Sequence, residues 1–174
     1  MNTQTRFLMV CLGNICRSPT AQAVMEKCIA DAGLQDHIVV DSAGTAAYHI
    51  GKAPDPRSSA AAARRGYDMS PQRARQVSVE DFHRFDHILA MDSSNLNHLL
   101  AMAPEGSAHK VSLLLSHAAV SAIDVPDPYY GGDEGFEQVL DLVEQACAAL
   151  LAAAQADLQS DLQSRLQSQT TGER

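Results

Sequence analysis

The feature that most constrains this chain is a short apolar run, a turn and a helical pattern in immediate succession near its N-terminus. Residues 6–10 are few and mostly apolar, which predicts a buried strand. Residues 18–32 carry apolar side chains at helical spacing, with Pro19 in the first turn and Gly33 at the end. Residues 11–17 therefore join the end of a strand to the start of a helix.

The rest of the chain repeats this alternation of strands and helices. Further strands are predicted at residues 37–45, 86–92 and 110–116, and further helices at residues 57–66, 78–85, 93–103 and 136–155. Ser78 is expected to cap the helix that it begins, with Asp81 close to completing a capping box. Strands that alternate with helices favour right-handed crossovers, so we predict an α/β fold with a four-stranded parallel sheet flanked by helices.

One domain and a tail account for the 174 residues. A chain of this length, 45% hydrophobic, can bury the core of one globular domain, which we place at residues 1–156. Residues 157–174 form a polar tail in which Leu158, Leu162 and Leu166 are four positions apart. We expect a fraying helix end that passes into disorder; a helix that continues into the 160s and a leucine stripe that binds a partner are the alternatives.

Charge and cysteine usage narrow the class of protein. The net charge is −8 and no basic run is present, which argues against a nucleic-acid or anionic-membrane partner. No apolar run reaches the length of a membrane span, and the N-terminus has the pattern of a first strand rather than a signal peptide. The four cysteines show no CxxC and the histidines no ligand spacing, so we expect free thiols, no metal site and a cytoplasmic protein.

The turn at residues 11–17 has the composition of an anion-binding loop. At the carboxyl edge of a parallel sheet, the N–H groups of such a turn and of the next helix can point at one anion. Gly13 can turn without a Cβ clash, and Asn14 tolerates a left-handed backbone. Arg17 offers a planar pair of donors that matches two oxygens of a phosphate. We therefore expect a cradle for a tetrahedral oxyanion.

Cys11 stands at the floor of this expected cradle. The field that favours a bound anion also favours thiolate over thiol, and a thiolate below a phosphoryl group can attack it in line. A Cys-x5-Arg spacing also arises by chance, as a buried thiol and a surface arginine. Its position between a strand and the Ser18-Pro19 helix start favours the functional interpretation, with Cys11 as nucleophile and Arg17 as phosphate clamp.

These motifs resemble the low-molecular-weight protein tyrosine phosphatases. The segment VCLGNICRSPTAQAV fits that family's Cys-x5-Arg-Ser signature, and DSAGTAAYHIGKAPDPRS, RARQV, FDHILAMDSSNL and VPDPYYGG follow in the family's order. The resemblance covers residues 5–155. It implies a flavodoxin-like three-layer sandwich that hydrolyses phosphotyrosine through a phosphocysteine intermediate, without a metal or cofactor.

The resemblance also implies a role for each matching residue. Cys11 would attack phosphorus, while Arg17 and the N–H groups of loop 12–17 would bind the equatorial oxygens. Ser18 would hydrogen-bond the thiolate, and Asn14 would fix the loop with help from Ser42. Leu12 and Ile15 would give an apolar floor suited to an aryl substrate. The implied substrate-binding residues are Leu12, Gly13, Asn14, Ile15, Cys16, Ser18, Tyr48 and Tyr129.

Asp127 is implied as the general acid and base. It would protonate the phenolate leaving group and then accept a proton from the attacking water. By spacing alone, Asp124 is an equal candidate in the same acidic loop, and the Asp-Pro-Tyr match favours Asp127. Because the aspartate must be protonated while Cys11 is charged, kcat/KM is expected to be bell-shaped on the acidic side of neutral pH.

Two positions depart from many members of the family, and one has two interpretations. Gln72 stands where many members have a histidine that supports the loop, and we expect its amide to donate and accept hydrogen bonds there. Tyr48 stands in place of a tryptophan common in bacterial members, which keeps an aromatic wall. Cys16 is either a small packed residue or a disulfide partner that protects Cys11 from overoxidation, and the sequence weighs these equally.

Two other functions compete with the phosphatase. An arsenate reductase on the same scaffold would need a resolving cysteine near residues 80–92, and that segment has none. A silent phosphotyrosine-binding module would tolerate loss of Cys11 or Asp127, and both are present. We predict a protein tyrosine phosphatase that acts on a phosphotyrosine-containing protein, for which a tyrosine kinase is one candidate, and that is a monomer or weak dimer.

Overall fold

A computed structural model describes residues 4–171 of the chain. Four parallel strands form one sheet: β1 Thr5–Cys11, β2 Ile38–Gly44, β3 His87–Ala90 and β4 Val111–Leu113. Their order across the sheet is β2-β1-β3-β4. The predicted four-stranded parallel sheet is confirmed, and β1 lies at its centre.

Helices cover both faces of this sheet. They are α1 Arg17–Asp31, α2 Pro56–Arg64, α3 Asp81–Arg84, α4 Ser93–Met102 and α5 Asp133–Thr171, with short 3-10 helices at Ala108–Lys110 and Leu114–His117. Successive side chains of a strand point to opposite faces. Accordingly, Phe7 and Met9 of β1 pack in a core with α1, α2 and α5, whereas Leu8 and Val10 pack with α3 and α4. The result is the expected three-layer, flavodoxin-like sandwich.

The register of the strands places several chain turns at one edge of the sheet. Cys11, the last residue of β1, pairs with Gly44, the last residue of β2. A Cβ atom on Gly44 would lie 2.7 Å from the carbonyl oxygen of Leu12, so only glycine allows β2 to approach the loop after β1 so closely. β3 ends at Ala90 beside Val10. The carboxyl ends of three strands thus meet around the loop at residues 11–17.

Two local predictions are corrected by the structure. The strand expected at residues 110–116 is only Val111–Leu113, because Leu114 and Leu115 bury their side chains from a 3-10 helix. Ser78 does not cap α3; its backbone N–H instead donates to Asp81 Oδ2 at 2.8 Å. Apolar runs signal burial, and burial alone does not distinguish a strand from a tight turn.

The described part of the predicted tail, residues 157–171, is helical, which corresponds to the alternative of a helix that continues into the 160s; residues 172–174 lie outside the described residues. α5 continues as one helix from Asp133 to Thr171, well past residue 156. Its first half packs against α1 and β-sheet residues, and its side chains from 159 to 170 are exposed. By length and composition alone α5 could also cross a membrane, and 39% of its most apolar 18-residue window is buried inside the protein.

Candidate active site

The loop between β1 and α1 is shaped by Asn14. Its φ angle is +54°, in the left-handed region that asparagine tolerates better than most residues. Its side-chain Nδ2 donates to Ser18 Oγ at 2.8 Å and to Ser42 Oγ at 3.0 Å. Its Oδ1 accepts from the backbone N–H of Arg75 at 3.0 Å. These bonds hold the turn from three sides, and they include the expected contact with Ser42.

The sulfur of Cys11 lies at the floor of this loop. Ser18 Oγ is 3.0 Å from Sγ, and the backbone N–H of Asn14 donates to Sγ at 3.3 Å. Ser18 Oγ accepts from Asn14 Nδ2, so its single hydroxyl proton can be donated either to the sulfur or to the carbonyl oxygen of Ala43, which is 3.3 Å away. Both neighbours of the sulfur can therefore stabilise negative charge on it.

Arg17 is buried beside this sulfur and is held by two further groups. Its Nη1 donates to Asp92 Oδ2 at 2.5 Å and to the carbonyl oxygen of Val125 at 3.1 Å. Burial opposes its charge, but the nearby Cys11 sulfur and the Asp92 carboxylate raise the pKa of the guanidinium above its ordinary value. Asp92 was not singled out from the sequence. The signal was an aspartate at the carboxyl end of a parallel strand, directly before a helix.

The two candidate acids have different surroundings. Asp124 Oδ1 accepts from the backbone N–H of Ser93 at 3.0 Å and from its hydroxyl at 2.8 Å, at the start of α4. Asp127 instead faces the loop, with Oδ2 3.7 Å from Nη2 of Arg17 and a side chain that is 41% exposed. The structure separates the pair that spacing alone left equal, and it brings Asp127 to the cleft.

An open cleft of about 280 Å³ lies above Cys11 and Arg17. Its lining residues are Cys11, Leu12, Gly13, Ile15, Cys16, Arg17, Tyr48, His49, Asp127, Tyr129 and Tyr130. Nine of the eleven residues named from the sequence lie here; Asn14 and Ser18 are buried behind the loop and contact the sulfur instead. The cleft combines the buried cation of Arg17 at its base with the partly exposed carboxyl group of Asp127 and aromatic rings nearer its mouth.

His49 and Tyr130 line the cleft but are not among the site residues named from the sequence. A Cβ atom on Gly13 would lie 2.9 Å from His49 Cδ2, so Gly13 is needed for the imidazole to approach the loop. Tyr130 stands edge-on to Tyr129, with ring centroids 4.9 Å apart. Both lie in loops, where no periodic pattern marks a residue as functional.

Comparisons with known proteins agree with this geometry. The family model described as low molecular weight phosphotyrosine protein phosphatase matches residues 6–163. The chain belongs to this family. A low molecular weight protein-tyrosine-phosphatase of Streptomyces coelicolor is 46% identical over 154 residues, covering 86% of this chain and 93% of that protein. The human low molecular weight phosphotyrosine protein phosphatase is 43% identical, covering 84% and 94%.

Solved structures show the same family. A protein tyrosine phosphatase from Entamoeba histolytica, crystallised with Hepes in its active site, superposes with a TM-score of 0.86 at 41% identity. The match covers 88% of this chain and 99% of that one. The flavodoxin-like fold and the protein tyrosine phosphatase class are thereby established for this chain.

Gln72 and Cys16 are the two remaining residues of this phosphatase for which the sequence raised a specific expectation. Gln72 Nε2 donates to the carbonyl oxygen of Pro19 at 2.9 Å, but its buried Oε1 has no hydrogen-bond partner among the described residues. It supports the first turn of α1, not Asn14. Cys16 is a free, buried thiol beside Cys11, and burial raises its pKa to about 12.

Arg57 links the loop that contains Asp127 and Tyr129 to α2. Its guanidinium is bound to Asp55, the N-cap of α2, at 2.9 Å and donates to the carbonyl oxygen of Tyr129 at 3.0 Å. It also lies 5.5 Å from the centre of the Tyr129 ring. Arg57 therefore positions the aromatic rim.

Within residues 4–171, no group of three or more His, Cys, Asp or Glu side chains is placed to hold a metal ion.

Proposed function

We propose that this phosphatase hydrolyses phosphotyrosine through a phosphocysteine intermediate on Cys11, with Arg17 as phosphate ligand and Asp127 as general acid and base. The observation that carries the proposal is the contact of the Cys11 sulfur with the Ser18 hydroxyl and the Asn14 N–H, directly below a cleft that also contains Arg17 and Asp127. A stabilised sulfur anion, a cation and a carboxyl group are the three parts that metal-free phosphoryl transfer from an aryl ester requires.

In the first step, the Cys11 thiolate forms a bond to phosphorus as the bond from phosphorus to the phenolic oxygen breaks. The guanidinium of Arg17 and the N–H groups of loop 12–17 stabilise the charge on the three remaining oxygens. Asp127 donates its proton to the leaving phenolate. Its position at the mouth of the cleft, 3.7 Å from Arg17, supports this role because the leaving oxygen must lie opposite the sulfur.

In the second step, water attacks the phosphocysteine and inorganic phosphate leaves. The Asp127 carboxylate accepts a proton from the attacking water, which returns the acid to its starting form. The bond from sulfur to phosphorus breaks, and the thiolate is again stabilised by Ser18 and Asn14. The Ser18 hydroxyl, 3.0 Å from Sγ, supports a role for Ser18 in this departure.

The rim of the cleft favours an aryl phosphate over a sugar phosphate. Tyr48 and Tyr129 present exposed rings, and Leu12 and Ile15 add apolar surface beside the loop. We infer that a phosphotyrosine side chain of a protein lies between these rings, and a tyrosine kinase is one candidate for that protein. Stacking of aromatic rings contributes about 0.5–1.5 kcal/mol beyond the burial of area.

Hydrolysis of para-nitrophenyl phosphate tests the proposal. Cys11→Ser should reduce turnover to background, and Asp127→Ala should reduce kcat by about 10²–10⁴-fold. Asp124→Ala is the matched control, because Asp124 lies three residues away but contacts Ser93 instead of the cleft. Turnover that survives in Cys11→Ser, or an equal loss in Asp124→Ala and Asp127→Ala, would overturn the assignment.

A further inference from the structure

The C-terminal part of α5 presents an apolar row that the protein itself covers only at one end. Leu158 is half-buried against the core, while Leu162 and Leu166 are 60% and 63% exposed. A groove of about 220 Å³ lies beside them, lined on its other side by Leu34 and His37. Two exposed leucines one helical turn apart, next to a half-buried third, form an apolar surface of the kind that marks a contact site.

The two flanks of this leucine row are chemically different. Asp157, Asp161 and Arg165 each directly precede a leucine, so they form one charged flank about 100° around the helix. Gln159, Gln163 and Gln167 directly follow the leucines and form the opposite, uncharged flank. Within residues 4–171, Asp157, Asp161 and Arg165 take part in no ion pair. These two negative charges and one positive charge are thus available for ion pairs with another molecule.

The geometry points to a second copy of this chain as that partner: we propose that two α5 tails pair antiparallel across a two-fold axis near Leu162. In this arrangement Leu158 of one copy meets Leu166 of the other, and the two Leu162 side chains meet on the axis. The charged flanks then face each other, which places Arg165 of each copy between Asp157 and Asp161 of the other. The surface is self-complementary, as a two-fold symmetric contact requires.

The spacing of the leucines also sets the crossing angle. Ridges that repeat every four residues pack into each other at about −50°, unlike the shallow angle of a heptad coiled coil. The contact is therefore short, and we expect a dimer that forms only at high protein concentration. A parallel pair would place each charged flank against the glutamine flank of its partner, so it would gain nothing from the opposite charges.

Removal of one exposed leucine tests the apolar part of the contact. Sedimentation velocity of the full-length chain over about two orders of magnitude in concentration should show reversible dimerisation. Leu162→Gln should weaken association at least about tenfold. Leu100→Gln is the matched control, since Leu100 is an exposed leucine on α4, and it should leave association unchanged. Unchanged turnover of para-nitrophenyl phosphate verifies that each variant is folded.

Charge exchange tests the antiparallel orientation. Arg165→Glu alone makes the charged flank wholly acidic, and Asp157→Lys with Asp161→Lys makes it wholly basic, so each variant alone should dimerise less than wild type. A mixture of the two should associate more strongly than wild type, and added salt should weaken the mixed dimer. Arg84→Glu, an exposed charge reversal on α3, is the control.

Three results would overturn the proposal. One is a protein that remains monomeric over the whole concentration range. Another is a dimer that Leu162→Gln does not weaken, which would place the interface elsewhere. The third is a leucine-dependent dimer that is insensitive to the charge variants, which would indicate a parallel pair.

Discussion

The carboxylate of Asp92 binds the guanidinium of Arg17 at 2.5 Å and at the same time caps the N-terminus of α4. One side chain thus connects Arg17, the proposed phosphate ligand, to the helix on the other face of the sheet. Arg17 has few rotamers available because Asp92 and the carbonyl oxygen of Val125 bind the same Nη1 nitrogen. The orientation of the guanidinium is therefore determined by the fold before substrate arrives.

Substitution of Asp92 should separate positioning from stability. Asp92→Asn keeps a capping side chain but loses the charge, so we expect kcat/KM to fall about tenfold, as for loss of one hydrogen bond to a charged group, with little change in Tm. Asp92→Ala should lose the same activity and in addition about 1 kcal/mol of stability. Steady-state kinetics and urea unfolding measure both, and a wild-type kcat/KM in Asp92→Asn would contradict the role of Asp92.

The acid role of Asp127 predicts a dependence on the leaving group. A phenolate such as that of tyrosine needs a proton as it departs, whereas dinitrophenolate departs without one. Asp127→Asn should therefore lose about 10²–10⁴-fold in kcat on phosphotyrosine but far less on dinitrophenyl phosphate. Rates measured on both substrates decide the matter, because an equal loss on both would assign Asp127 to binding instead.

The proposed roles of Cys11 and Asp127 predict the pH dependence of the wild-type enzyme. The proposed mechanism needs Cys11 charged and Asp127 protonated at the same time, so the rate should fall on both sides of an optimum. The kcat/KM profile should be bell-shaped on the acidic side of neutral pH, and Asp127→Asn should lose the decrease on the alkaline side. A flat profile between about pH 4 and pH 8 would be inconsistent with this pair.

Alkylation should distinguish Cys11 from Cys16. Burial raises the pKa of Cys16 to about 12, so this thiol stays protonated at neutral pH. Iodoacetate should therefore modify Cys11 first, and inorganic phosphate should slow that modification. Peptide mapping by mass spectrometry reads out both sites, with the Cys16→Ser variant as control. Equal modification of the two cysteines would argue against a stabilised thiolate at Cys11.

Arg75 is expected to matter for stability more than for chemistry. Its side chain binds Asp41 and the buried Asp81, both at 3.0 Å. Arg75→Ala would leave Asp81 with only its Ser78 contacts, so we expect a loss of about 2 kcal/mol in the free energy of unfolding. The backbone N–H that supports Asn14 remains. Arg73→Ala, whose side chain is exposed and binds carbonyl oxygens, is the control and should change stability by less than about 0.5 kcal/mol.

The first βα unit was predictable from sequence because its signals are local and agree with one another. The predicted strand at residues 6–10 and helix at residues 18–32 correspond to Thr5–Cys11 and Arg17–Asp31. An apolar run, a turn with Gly13 and Asn14, and Pro19 in the first turn of the helix all indicate the same structure. Cys11, Gly13, Asn14 and Arg17 were found for the same reason, whereas the rest of the predicted site came from the family resemblance.

The residues that sequence reasoning missed depend on contacts between distant segments. Asp92 meets Arg17 only because β3 lies beside β1 in the sheet, and His49 reaches Gly13 across a loop.

The bounds of the short β4 and of the long α5 were not predicted for a different reason. Three adjacent leucines do not reveal where a strand becomes a 3-10 helix, and a polar repeat with good helix formers is compatible with both helix and disorder.

The network around Asn14 has a consequence for ligand selection. Since its bonds to Ser18, Ser42 and Arg75 come from the protein itself, the loop has little freedom left to lose when an anion binds. A rigid loop of this kind binds ions that match its dimensions tightly, and it cannot change shape to bind ions that do not match. Tetrahedral oxyanions should compete with substrate, and planar anions of equal charge should compete poorly.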